Sequence, residues 1–257
     1  MCIYYINKIL KMSSKNHKLK IIKDKSDDLV IDKGLLWNVP FRVLLVMKTG
    51  QGKSNFICNM FRDDFYGKQY KGDDIFIISP MVNDEKLETL IDFKEIPEEN
   101  VMTSMDEEIL NALYDSNTEE FTSRVAEGKK PYNKVWIVDD MSWSGDLKKG
   151  YFNVINRVFC NGRKHNISIF LSSQFYTHIL SSCRANASGL VLGNASDKQL
   201  KLIAEENNYL KGNDKMFKKM FRDEIKENYD YLIVNYSNKL KDIYLNKDFE
   251  VISQESF

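Results

Sequence analysis

The sequence has no net charge with which to attract a polyanion. Its 37 Lys and Arg are matched by 37 Asp and Glu, so any contact with nucleic acid must come from a local patch or from a channel lined by several copies. It has no apolar run of membrane-spanning length, and a membrane partner is not expected. It is poor in cysteine, and Cys2, Cys58, Cys160 and Cys183 show no paired spacing. Cys58 and Cys160 fall in apolar helical patterns and read as buried free thiols of a reducing compartment. The opening MCIYYINKIL lacks a basic lead and a small-residue cleavage site, so a secretory leader is not expected.

What is present suffices for a core. At 43% hydrophobic residues over 257 positions, the chain reads as a single α/β domain. Residues 1–40 read as an extension containing a β-hairpin over 17–40 closed by Trp37 and Pro40, 41–195 as the core, and 196–257 as C-terminal helices with a β-hairpin.

The core is organised around FRVLLVMKTGQGKSNFICNMF, residues 41–61. The apolar run 41–47 predicts a buried parallel strand. KTGQG turns the chain with two glycines, and Phe56, Ile57, Met60 and Phe61 recur at helical spacing. Strand, glycine turn, Gly-Lys-Ser and helix form the context of a phosphate-binding loop. Backbone amides at a helix N-terminus, aided by its dipole, suit triphosphate oxygens. In this pattern Thr49, Gly50, Gln51, Gly52 and Asn55 border the phosphates, Lys53 reaches the β- and γ-phosphates, and Ser54 sets its hydroxyl on Mg²⁺. One position departs: Met47 stands where the motif has its first glycine. Either Gly50 takes over the turn or the loop is distorted.

IFIISP, 75–80, predicts a second strand, and 81–130 reads as loop-rich with short helices near Glu85–Phe93 and Asp106–Leu113. KVWIVDD, 134–140, runs four apolar β-formers into two aspartates. On a strand beside the loop's strand, Asp139 would serve the Mg²⁺ shell and Asp140 would polarise water. A helix over 147–161 is expected to stop at Gly162, and ISIFLSSQ, 167–174, predicts a strand tipped by Gln174, placed to sense the γ-phosphate or hold the water. Arg163 and Arg184 each read either as surface charge or as a guanidinium that reaches a neighbour's nucleotide. A strand over 189–193 and a helix capped by Ser196 follow. The basic amphipathic stretch 211–226 is the best DNA-facing candidate, 229–246 predicts a hairpin, and the last residues from Phe249 read as a frayed tail.

Taken together and in this order, KTGQGKS, VWIVDD, GRKHNISIFLSSQ and CRAN resemble the viral DNA-packaging ATPases of the FtsK–HerA superfamily, those of poxviruses, giant DNA viruses and virophages, over about residues 40–195. The resemblance implies a three-layer, RecA-like P-loop core with an additional strand and a mainly parallel sheet, the P-loop strand lying between the strands that end at Asp140 and Gln174. It implies ATP and Mg²⁺, a homo-oligomeric ring with ATP between subunits, and pumping of double-stranded DNA into a preformed capsid. A capsid or vertex protein would be a partner, and the protein would work in the viral factory of the host cytoplasm and accompany the virion. By position, Lys53 and Ser54 bind phosphate and Mg²⁺, Asp139 holds Mg²⁺, Asp140 activates water, Gln174 is the sensor, and Arg163 is the favoured trans-acting finger ahead of Arg184. Met47 departs from the family glycine, which bears on nucleotide affinity. A related translocase or helicase outside packaging, a nucleoside kinase, and a P-loop module retained as an assembly part remain as alternatives.

Overall fold

The computed structural model describes residues 35–81, 84–141, 153–210 and 214–254. The expected hairpin over 17–40 falls largely outside them, as do Leu147 and Tyr151 of the expected helix over 147–161. Its end at 35–40 is described: Trp37 is fully buried beneath the sheet, where a Cβ on Gly189 would lie 2.1 Å from its Nε1.

Eight strands make one sheet: β1 (Arg42–Val46), β2 (Ile75–Ile78), β3 (Val101–Met102), β4 (Lys134–Val138), β5 (Ile167–Ser173), β6 (Gly189–Leu192), β7 (Leu232–Asn235) and β8 (Tyr244–Leu245). Their spatial order is β3-β2-β4-β5-β1-β6-β7-β8. The first six are parallel, and β7 and β8 close one edge antiparallel, as the C-terminal hairpin predicts. One expectation is corrected here. The strand that ends in the two aspartates does not adjoin β1, because β5 lies between them. Asp139 therefore reaches the loop across an intervening strand.

Helices cover both faces, which is why the parallel strands read as unbroken apolar runs rather than alternating ones. One face carries α1 (Lys53–Met60) and α2 (Glu85–Lys94). There Phe56, Ile57, Met60 and Leu90 pack on Val43, Leu45, Ile137 and Phe170. The other carries α3 (Glu107–Ala126), α4 (Val154–Asn161), the short α5 (Ser181–Ala185), α6 (Asp197–Asn207) and α7 (Asp214–Glu224), with Leu110, Val158, Phe159, Ile203 and Phe217 on Leu44, Trp136, Ile169 and Leu190.

Several expectations yield to this packing. The stretch read as loop-rich contains α3, 20 residues long and capped by Asp106, whose carboxylate accepts from the amides of Glu108 and Ile109. It buries only Leu110, Tyr114 and Asn117, so its apolar stripe is too sparse to show a period. α4 ends at Asn161 with Gly162 as its C-cap, as expected, but that glycine is not left-handed. Its φ is a helical −54°, the chain runs on as a 3-10 turn through His165, and Asn166 at φ 60° makes the break. The tail is not frayed at Phe249: Val251 bridges Leu245, and Ile252 is buried. Of the cysteines, Cys183 is buried, Cys58 half-buried and Cys160 exposed, so the last is no core thiol. Cys58 donates to the Lys86 carbonyl, and burial pushes its thiol up to about 12.

Candidate active site

β1 delivers its chain end to a turn built from two left-handed glycines, Gly50 at φ 77° and Gly52 at φ 91°, a conformation that glycine adopts without a Cβ penalty. Gly52 is also the N-cap of α1, so no side chain caps that helix, and its first turn holds no acidic residue. The first-turn amides and the dipole thus face an anion position. The departure at Met47 is absorbed locally. Met47 is 1% exposed, and its Cγ lies 2.8 Å from where a Cβ on Gly193 would stand. The glycine that the loop lacks is supplied at the end of β6. Gln51 braces the turn by accepting from the Lys48 amide at 3.0 Å. Lys53 is buried, with Nζ donating to the Met47 carbonyl at 3.4 Å. Thr49 and Gly50 are exposed at the loop's crest, and Asn55 is exposed on the first turn of α1.

Across β5, Asp139 meets the loop. Ser54 Oγ donates to Asp139 Oδ2 at 3.0 Å, and Ser172 Oγ donates to Asp139 Oδ1. Burial pushes the Asp139 carboxyl up, while the Ser172 and Ser54 hydrogen bonds and the Lys53 charge pull against it. Asp140, at φ 51°, turns its amide to Ser172 Oγ (2.9 Å) and its carboxylate to Gln174, whose Nε2 donates at 2.9 and 3.3 Å to the two oxygens. A non-glycine residue in the left-handed region at a strand tip is the kind of strain that an active site retains. Ser172 holds both aspartates at once. Nothing in the motif pointed to it; its one signal is the hydroxyl pair Ser172–Ser173 before Gln174, in a strand whose only other polar residue is Ser168.

One carboxylate and one hydroxyl in contact form an oxygen donor set of the size Mg²⁺ uses when phosphate and water complete its octahedron. Among the described residues no cluster of three or more His, Cys, Asp or Glu could hold a metal by itself. The residues fit a Mg²⁺ that arrives with a nucleotide. A prediction follows from the desolvated carboxylate. Asp139→Asn should leave the unfolding temperature of the metal-free protein near that of the wild type, because it relieves a buried carboxylate but leaves the buried Lys53 ammonium without its counter-charge. Hydrolysis should fall below detection. Thermal melts alongside a phosphate-release assay check both halves.

The two arginines part company. Arg184 is locked in a bidentate pair with Glu206 (2.8 and 2.9 Å), and its guanidinium lies 4.9 Å from the Tyr176 ring centre. Arg163 is exposed in the turn before β5, at the opposite end of that strand from Gln174. Seven residues of strand separate the two ends by about 20 Å, so Arg163 lies remote from the loop of the same chain.

The family model described as poxvirus A32 protein matches residues 29–256. No curated protein matches the chain. Among solved structures, the genome packaging NTPase B204 of Sulfolobus turreted icosahedral virus 2, in complex with AMPPCP, is similar at 15% identity and TM-score 0.54, covering 77% of this chain and 93% of that one. B204 of Sulfolobus turreted icosahedral virus, the DNA-packaging ATPase, gives 13% and 0.53, covering 77% and 94%. ATPases 2 and 3 of EssC from Geobacillus thermodenitrificans give 11% and 0.57, covering 84% of this chain and 40% of that one. At such identities these likenesses establish the fold: a P-loop ATPase sheet with its helices.

Proposed function

The chain belongs to the poxvirus A32 protein family, and from that premise we propose that it is an ATP-driven translocase that moves double-stranded DNA into a viral capsid as a homo-oligomeric ring. The observation that carries the reading is the meeting of three separate segments at one point. The loop's Ser54 touches Asp139, and Asp140 is held by Gln174. Groups suited to bind phosphate, to hold a metal and to activate water therefore stand side by side, which supports a reading as an ATP-hydrolysing site.

The loop amides and Lys53 would bind the β- and γ-phosphates and stabilise charge as it develops. Ser54 and Asp139 would hold a Mg²⁺ arriving with the nucleotide, which would supply charge neutralisation at the phosphates. Asp140 would orient the attacking water and accept its proton, and Gln174 fixes the carboxylate and senses the γ-phosphate. Arg163, far from its own loop, would complete a neighbour's site. One further feature supports that assignment. The charge of Arg163 acts on the half-buried Arg42, whose guanidinium is held down first by burial and then by that charge. Such like-charge repulsion is relieved by an arriving anion. The nucleotide would then lie between subunits.

DNA would meet the outward face of α7, where Lys215 and Lys219 are exposed and Phe217, Met220 and Phe221 are buried. Contacts of this type are phosphate contacts, sequence-blind and weakened by salt. A capsid or vertex protein would dock the ring, and the place of work would be the host cytoplasm and the assembling virion. The B204 proteins, named as packaging ATPases, support the packaging reading by likeness of fold. Stripping a triplex-forming strand from duplex DNA tests it. The wild type should displace the third strand only with ATP, and more slowly as salt rises; hydrolysis with no displacement at any protein concentration would sink the translocase reading.

A further inference from the structure

Beside the loop lies a cavity of about 200 Å³ that the phosphate chemistry does not use. Its floor is Gln51, Gly52, Asn55 and Asn59, and its wall is aromatic, with Tyr229 and Phe249 contributed by the C-terminal segment. Among the described residues five non-glycine positions have positive φ; two of them are these aromatics, Tyr229 at 73° and Phe249 at 65°. Bulky side chains are rare in that region and stay there only when their surroundings impose it.

The surroundings here do. Asp230 Oδ2 accepts from the amides of Lys226 (3.1 Å) and Glu227 (2.9 Å), and its Oδ1 accepts from Lys247 Nζ at 2.7 Å. Asn246 Oδ1 accepts from the amides of Asp248 (2.9 Å) and Glu250 (3.0 Å). Tyr231 Oη, donating to the Lys247 carbonyl at 3.0 Å, ties the two turns together. Both strained turns are thus braced, and each aims a ring at the same space. Phe249 is backed edge-on by Phe65, with ring centres 5.5 Å apart. Tyr229 remains 61% exposed, and its Cδ1 stands 3.0 Å from where a Cβ on Gly52 would be. Any side chain at Gly52 would strike that ring.

We propose that this cavity is the nucleobase subsite of the ATP site. The base stacks on the Tyr229 ring, with Phe249 behind it, and the carboxamides of Asn55 and Asn59 read its edge. Aromatic faces stack on any base, whereas carboxamides both donate and accept and so tell bases apart. The C-terminal hairpin, not the P-loop, would then set nucleotide affinity beyond the phosphates. This rests on the reading of residues 49–54 as the phosphate site.

Calorimetric binding to the full chain separates the two claims, with MgATPγS and inorganic tripolyphosphate as probes and Tyr229→Ala, Tyr229→Phe, Tyr229→Gly and Lys53→Ala as variants. Tyr229→Ala should weaken MgATPγS about tenfold or more, the scale of one lost base–aromatic stack, and leave tripolyphosphate unchanged. Tyr229→Phe should bind as the wild type does. Tyr229→Gly should lose the same affinity while melting at a higher temperature, since glycine relieves the strained φ, and it carries the test should the alanine variant not fold. Wild-type affinity in both Tyr229→Ala and Tyr229→Gly overturns the subsite. So does equal loss toward both probes, which would make the ring a prop for the loop. If Lys53→Ala binds both probes as the wild type does, the phosphate reading itself fails.

Discussion

Lys53→Ala should lower ATP hydrolysis by a factor of about 10² to 10³, the cost of deleting one preorganised charge from a phosphoryl-transfer site. Lys53 is 7% exposed, and the fold tolerates its ammonium because the Met47 carbonyl accepts from it and the Asp139 carboxylate lies close enough for the two charges to act on one another. A cation held at the head of α1 among loop amides is placed for a polyphosphate and for little else. Lys53→Arg should not rescue the rate, because a planar fork requires room that a point charge on a flexible stem does not. The variant should melt close to the wild type, since removing a buried charge relieves desolvation as it loses a hydrogen bond. Phosphate-release rates and melting curves of the same samples distinguish lost chemistry from lost fold; a Lys53→Ala protein that hydrolyses ATP at the wild-type rate would place the chemistry elsewhere.

Arg163→Ala is expected to cost still more, about 10³- to 10⁵-fold in hydrolysis, the range attributed to an arginine supplied to a neighbouring nucleotide. Nucleotide binding by each subunit should be nearly unchanged, because Arg163 lies at the far end of β5 from the loop of its own chain. Complementation makes the prediction sharp. Arg163→Ala lacks the donated group but keeps Asp140; Asp140→Asn lacks the acceptor carboxylate but keeps Arg163. Each alone should be inactive, and a mixture should recover activity at those interfaces where an intact loop meets an intact arginine. Arg184→Ala is the natural control. Its guanidinium is spent on Glu206 and the Ile179 carbonyl, so its loss should lower the melting temperature and leave hydrolysis per folded subunit near normal. Recovery on mixing with Arg184→Ala, but not with Arg163→Ala, would reverse the assignment.

How much of this was legible beforehand depends on how local the information is. The β1–loop–α1 unit spans some twenty consecutive residues, and its apolar run, glycines and helical spacing all lie side by side in the chain. Asp139 and Asp140 were visible for the same reason, as polar residues ending an apolar run. Strand order was not. That β5 separates β4 from β1 is fixed by helices packing on both faces, and no window of sequence contains it. The helix expected near Asp106–Leu113 runs on for 20 residues as α3, and its length was hidden because it buries just Leu110, Tyr114 and Asn117. Gly162 marks the end of α4, but a glycine after a helix does not show that the chain then tightens to a 3-10 turn and that Asn166 takes the left-handed position. The question raised by Met47 had its answer at Gly193, 146 positions away, where an absent side chain makes the room. The Tyr229–Phe249 cavity joins turns some twenty residues apart to a loop nearly two hundred residues upstream, and positive φ on an aromatic leaves no mark in a sequence.

If the active site is shared between subunits that act on DNA, hydrolysis per subunit must depend on protein concentration, and it should be measured with and without double-stranded DNA. The rate per subunit should be low when dilute, rise steeply as rings assemble, and rise further with DNA. A full rate per subunit that is independent of concentration and of DNA, in a sample shown to be monomeric, would contradict a shared site.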